Sequence, residues 1–141
     1  MVGHFVRVVV YGDFSKVFTS LVSEFGNIFY YALFGRNGRR VGILLGEKMF
    51  FWRTGSDVGL FVLVEEVNDR ECELIILSYA GGSGIWHISW GAHPRYVKDV
   101  LYFLRRSGYS YDVISEIDYF DSKKIPPDVR RRLGEVLESF F

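Results

Sequence analysis

The chain begins with an apolar stretch broken by a single charge, Phe5-Val-Arg-Val-Val-Val-Tyr11. Its β-branched and aromatic residues suit a strand covered on at least one face. The period then changes. Phe14, Val17, Phe18, Leu21, Val22 and Phe25 recur at the spacing of one helical face, with Asp13 and Ser15 as caps in front and Gly26-Asn27 as a stop behind. From Ile28 to Tyr79 the pattern is that of strands separated by turn chemistry: Ile28 to Phe34, Val41 to Leu45, Met49 to Arg53, Val58 to Val67 and Glu71 to Tyr79. Asn37-Gly38 predicts a tight hairpin, Gly46-Glu47-Lys48 separates two of the runs, and Asn68-Asp69-Arg70 reverses the chain. Ile85 to Trp90 resumes as a short strand after the glycines at 81, 82 and 84. Pro94 opens a second helix whose Val97, Val100, Leu101 and Leu104 form a stripe ended by Gly108. Tyr109 to Tyr119 alternates as an edge strand or an extended arm. Pro126-Pro127-Asp128 begins a last helix with Val129, Leu133, Val136, Leu137 and Phe140 as its seam.

Short connections of this kind join antiparallel neighbours. The predicted class is α+β, an antiparallel β-sheet covered by amphipathic helices, in the order βα(β)5-6α plus a C-terminal strand and helix. The 141 residues are read as one domain, with 109–141 as a C-terminal extension. This order is similar to helix-grip folds and to the TATA-binding-protein-like fold. Whether residues 41–53 make one bent strand or two decides between them. Phe51-Trp52-Arg53-Thr54, Ala80-Gly81-Gly82-Ser83 and Ser89-Trp90-Gly91-Ala92 resemble an uncharacterised prokaryotic family of small domains over residues 49–100. That resemblance implies no known activity and assigns no catalytic residue.

Composition narrows the function classes. The formal net charge is +0, which removes the general attraction a basic protein has for nucleic acid or an anionic membrane. Cys72 is the single cysteine, so neither an intramolecular disulfide nor a cysteine-based zinc site is available. Nothing at residues 1–12 reads as a secretory signal, because Arg7 interrupts the apolar run, and no segment is apolar for the roughly 20 residues a membrane span requires. A reducing, cytoplasmic location is expected. Absence of Gln and scarcity of Asn match a compositional trend of proteins from hot environments.

The residues with chemical potential concentrate between Gly81 and His93. Ser83 does not sit in a nucleophile elbow, since position 85 is Ile rather than Gly, and no lysine follows the glycines as a phosphate-binding loop requires. The glycines serve a turn or an amide anion site. His93 stands just before the predicted second helix as a cap, a packed ring or an anion contact. His87 and His93 lack a third local ligand, so no metal and no cofactor is assigned. Carboxylates at Glu65, Glu66, Asp69, Glu71 and Glu73 read as solvated strand faces and turns.

Two readings from different classes follow. In the first, the chain is a noncatalytic binding module with a small-molecule or peptide pocket between the sheet and the second helix, lined by Ser83, Trp86, His87, Trp90 and His93. In the second, it is a homo-oligomeric interaction protein, or binds nucleic acid through Arg36, Arg39 and Arg40 at one hairpin, with aromatic rings nearby for stacking. An enzymatic reading rests on the loop from Gly81 to His93 alone.

Overall fold

A computed structural model describes residues 2–24, 28–50, 56–81 and 92–118. The elements are β1 (Val2–Tyr11), α1 (Phe14–Glu24), β2 (Ile28–Arg36), β3 (Arg39–Phe50), β4 (Ser56–Asn68), β5 (Glu71–Gly81), α2 (Ala92–Arg106) and β6 (Ser110–Asp118). The strands form one antiparallel sheet in the order β2-β3-β4-β5-β1-β6. This is the α+β architecture that the alternation predicts.

The turns and caps follow from local chemistry. Asn37 and Gly38 have φ of 51° and 76°, and Arg36 pairs with Arg39, so the connection is the two-residue turn with left-handed centres that matches strand twist. Asp13 caps α1: its Oδ1 accepts the Lys16 amide at 3.0 Å while its carbonyl accepts the Val17 amide at 2.9 Å. α2 ends on Gly108 at φ 92°, where the Tyr109 amide donates to the Leu104 carbonyl and the Gly108 amide to that of Arg105. That paired closure satisfies carbonyls a helix end leaves open.

Registry sorts the side chains into two faces. Val6, Val8 and Val10 of β1, Cys72, Leu74 and Ile76 of β5, Leu60, Val62 and Val64 of β4 and Leu44 of β3 share one buried cluster with both helices. Phe14, Val17, Phe18 and Leu21 of α1 enter it, as do Tyr96, Val97, Val100, Phe103 and Leu104 of α2. Burying each large apolar side chain contributes roughly 1.5 to 3 kcal/mol, well above the tenths that separate local propensities. Gly42 lies beneath the Phe18 ring, and a Cβ there would collide with it. A glycine is what lets the helix settle onto β3.

Three details differ from the sequence pattern. Residues 39–50 form one strand rather than two, because Gly46, Glu47 and Lys48 continue the ladder opposite Leu60, Gly59 and Val58. A long partner strand overrides local turn chemistry. α2 starts at Ala92, so His93 is inside its first turn, not in front of it. Pro94 also fits in that turn, where the amide it lacks would have no helical acceptor. Finally, β6 is an edge strand, not a loose arm, but its register slips between Arg7 and Val8. Ile114 is the extra residue, so Tyr111 and Val113 lie opposite Val10 and Val8 while Ile117 pairs with Phe5 on the other face. The expected strand at 85–90 and the helix at 126–140 lie outside the described residues.

Leu21→Ala should cost about 2 to 5 kcal/mol in denaturant unfolding, the range for removing a fully buried leucine. Gly42→Ala adds only a methyl group, yet it should destabilise by about 1 to 3 kcal/mol because the Phe18 ring must move.

Candidate functional site

The face of the sheet opposite the helices is largely apolar. A row of register partners crosses all six strands, Ile117, Phe5, Leu77, Phe61, Leu45 and Tyr30. Ile75, Leu63, Ile43 and Ala32 lie alongside in the next row. Most of these are half-buried by their neighbours in the sheet. The Tyr79 ring lies across Gly59, which offers no side chain to hold it off. Two polar pairs lie on this face: Arg7 Nε donates to Glu73 Oε1 at 2.5 Å, and the Tyr11 hydroxyl donates to Asp112 at 2.5 Å. That bond and the Asp112 charge raise the Tyr11 pKa.

The two ends of the sheet differ in kind. β6 carries Asp112 and Glu116, both exposed, and its bulge interrupts the ladder midway. From Ile28 to Gly35, β2 has no charged residue. Tyr30, Tyr31, Leu33 and Phe34 are 54%, 57%, 59% and 45% exposed. The Arg40 amide points toward β4, donating to Glu66 Oε1 at 3.2 Å. Residues 41, 43 and 45 must therefore bond to β2, and through Phe34, Ala32 and Tyr30. The amides and carbonyls of Tyr31, Leu33 and Gly35 point off this edge, where no described strand pairs with them.

Beside this edge, α1 and β2 enclose a groove of about 260 Å³ lined by Phe14, Ser15, Phe18, Thr19, Leu33, Phe34 and Arg40. Phe14 and Phe18 stack at 5.9 Å, and Tyr31 meets Phe18 edge-on at 6.4 Å. Arg40 closes the groove. Its guanidinium lies 5.0 Å from the Phe14 ring centroid, donates to Ser15 Oγ at 2.6 Å, and reaches Glu66 Oε2 through Nη2 at 2.6 Å and Nε at 3.1 Å. The bond from the Arg40 side chain, and then that from its amide, hold the Glu66 carboxyl below its ordinary pKa.

Of the five residues expected to line a pocket, the described part of the chain contains His93 alone. Ser83, Trp86, His87 and Trp90 lie outside the described residues. His93 is placed by its backbone in α2. The described part of the α2–sheet interface is filled by Tyr96, Val97, Val100, Phe103 and Leu104. Burial, with Asp99 and Glu47 adding to it, pushes the Tyr96 pKa up to about 12. Of the hairpin arginines, Arg39 and Arg40 alternate to opposite faces, and Arg40 is engaged by Glu66; Arg36 occupies the last position of β2. Cys72 is buried, and its thiol is pushed up to about 12 by that burial. Among the described residues no three His, Cys, Asp or Glu side chains form a metal-binding group.

Sequence reasoning missed one buried polar contact. His4 is 2% exposed, and its Nε2 lies 2.9 Å from Glu116 Oε1. The bulge at Ile114 turns Glu116 toward the helix side, which simple alternation does not foresee. Sequence reasoning also missed the groove beside β2, although the uncharged aromatic run at 28–34 was visible.

No family model and no curated protein matches this chain. A solved structure of a conserved protein from Geobacillus kaustophilus is similar at 12% identity and a TM-score of 0.36, covering 77% of this chain and 98% of that one. The described residues form an α+β protein with a six-stranded antiparallel open sheet and two helices. No described helix is long and apolar enough to cross a membrane.

Glu66 has its pKa lowered in the folded chain, so its contribution to stability is present above the unfolded carboxylate range and is lost as pH falls through the folded value. Glu66→Gln should flatten the acid limb of a stability-against-pH curve below about pH 4.5 and leave its alkaline limb unchanged. Thermal unfolding across buffered pH steps measures this.

Proposed function

We propose that the chain is a noncatalytic binding module that takes its partner as an added strand along β2. The observation that carries this reading is the contrast between the sheet's two edges. Sheet edges that face water are commonly guarded by charge, bulges or proline, because unpaired backbone groups invite pairing with another chain. β6 sets charges beside its exposed Val113 and Ile114 and is bulged in its middle, whereas β2, bulged only near its start between Ile28 and Tyr30, exposes four large apolar side chains and no charge before Arg36. Its outward amides and carbonyls can supply main-chain affinity, and the groove floored by Phe14, Phe18 and Leu33 can take one side chain of the added strand. A volume of about 260 Å³ accommodates a single aromatic or branched group, with Arg40 and Ser15 at the polar end. The partner on this reading is an extended apolar peptide segment. A peptide bound here lies at the edge beside α1 and does not involve the second helix.

The test is selection of random nine-residue peptides displayed on phage against the immobilised chain, followed by affinity measurement on the winners. The expected winners alternate apolar residues and contain no proline at their centre. Leu33→Pro, which removes an outward-pointing amide, should weaken them at least about tenfold, the order of 1.4 kcal/mol, while circular dichroism shows the fold retained. Winners that bind Leu33→Pro as tightly as the parent, or the absence of any winner against a monomeric chain, would reject strand addition.

A further inference from the structure

We infer that the partner strand is the β2 of a second copy, so that two chains join edge to edge into one continuous sheet. This rests on the strand-addition reading above and names its occupant. The run Tyr30-Tyr31-Ala32-Leu33-Phe34 has nearly the same character read in either direction about Ala32. An antiparallel copy centred there sets Tyr30 against Phe34 on the open face and Tyr31 against Leu33 on the helix face. Ala32 meets Ala32 at the two-fold axis, where the small side chain leaves room for the rings on either side.

The backbone agrees with that register. Tyr31 and Leu33 carry the outward amides and carbonyls, so each Tyr31–Leu33 pair is a hydrogen-bonded one and the central Ala32 pair is the close, non-bonded kind. Charge agrees as well. Position 36 of one copy falls beyond Tyr30 of the other, near the bulge at the start of β2, which keeps the two copies of Arg36 at opposite ends of the junction. The ring of Tyr31 from the second copy comes to rest beside Leu33, at the mouth of the groove already lined by Phe14 and Phe18.

Size sets the expected strength. Four half-exposed side chains and an edge backbone from each copy offer on the order of 1,000 Å² in total, the lower end for a specific interface. A contact of that size is weak or transient, so it is sought at micromolar concentrations. The association closes on itself because a two-fold contact uses the same edge twice, and the charged, bulged β6 does not extend the assembly.

Sedimentation equilibrium of the full chain from about 1 to 100 µM should show a monomer–dimer equilibrium. Leu33→Lys and, as an independent variant, Tyr31→Lys should raise the dissociation constant at least about tenfold without changing the thermal unfolding of the dilute protein, since an edge lysine blocks pairing. Val113→Lys on the other edge should leave the dimer intact. Ala32→Cys should form an intermolecular disulfide with oxidised glutathione, because a non-bonded antiparallel pair has the required Cβ separation, and buried Cys72 does not compete. A parent chain that stays monomeric throughout, while selected peptides still bind β2, would overturn the second copy and leave strand addition standing. A dimer indifferent to both lysine variants, with no disulfide at position 32, would place the interface elsewhere and overturn the inference. Monomer together with failed peptide selection would remove both readings at once.

Discussion

The packing of Val6, Val8 and Val10 against Leu74 and Ile76, under α2, fixes the register of β1, and the rest of the sheet follows from it. Side chains in a strand alternate, so a slip by one residue would place Arg7 and Val9 in the core and expose three valines. β1 lies between β5 and β6 and bonds to both. Its frame is therefore transmitted in one direction through β5, β4 and β3 to β2, and in the other to β6. The two faces and the two edges acquire their characters from this single alignment.

Much of the architecture is legible in the sequence where local and global preferences coincide. The face of α1 is visible because Val17, Phe18 and Leu21 repeat at helical spacing and no other phase is comparably apolar. Asn37-Gly38 specifies its turn through backbone conformations that few other residue pairs adopt easily. Legibility fails where a distant partner decides. Gly46-Glu47-Lys48 carries turn chemistry, but the unbroken ladder to β4 holds it extended. Tyr96 and Phe103 widen the buried stripe of α2 because the sheet beneath is broader than the four residues picked out by spacing.

The candidate site was less legible than the fold, for a related reason. A free edge is a property of strand order, and strand order depends on pairings between residues far apart in the chain. Nothing local distinguishes the uncharged run of β2 from a strand buried on both sides. Its meaning emerges once β3 is found on one side of it and no described strand on the other. The bulge in β6 is equally hidden, because one extra residue at Ile114 alters the facing of every side chain after it. His4 and Glu116 meet as a result of that shift.

The central place of β1 also bears on the order in which the chain can be built. Its partners in β5 begin at residue 71 and those in β6 at residue 110, so a strand made first must wait for neighbours made much later. The β2–β5 meander has short connections and can assemble while synthesis proceeds, but until β1 docks, β5 is its unguarded margin. A ribosome moving at roughly 5 to 20 residues per second leaves that interval open for seconds. Over that time the aliphatic segment of β1 must be kept from other chains, because α2, the helix that packs on it, is also made late.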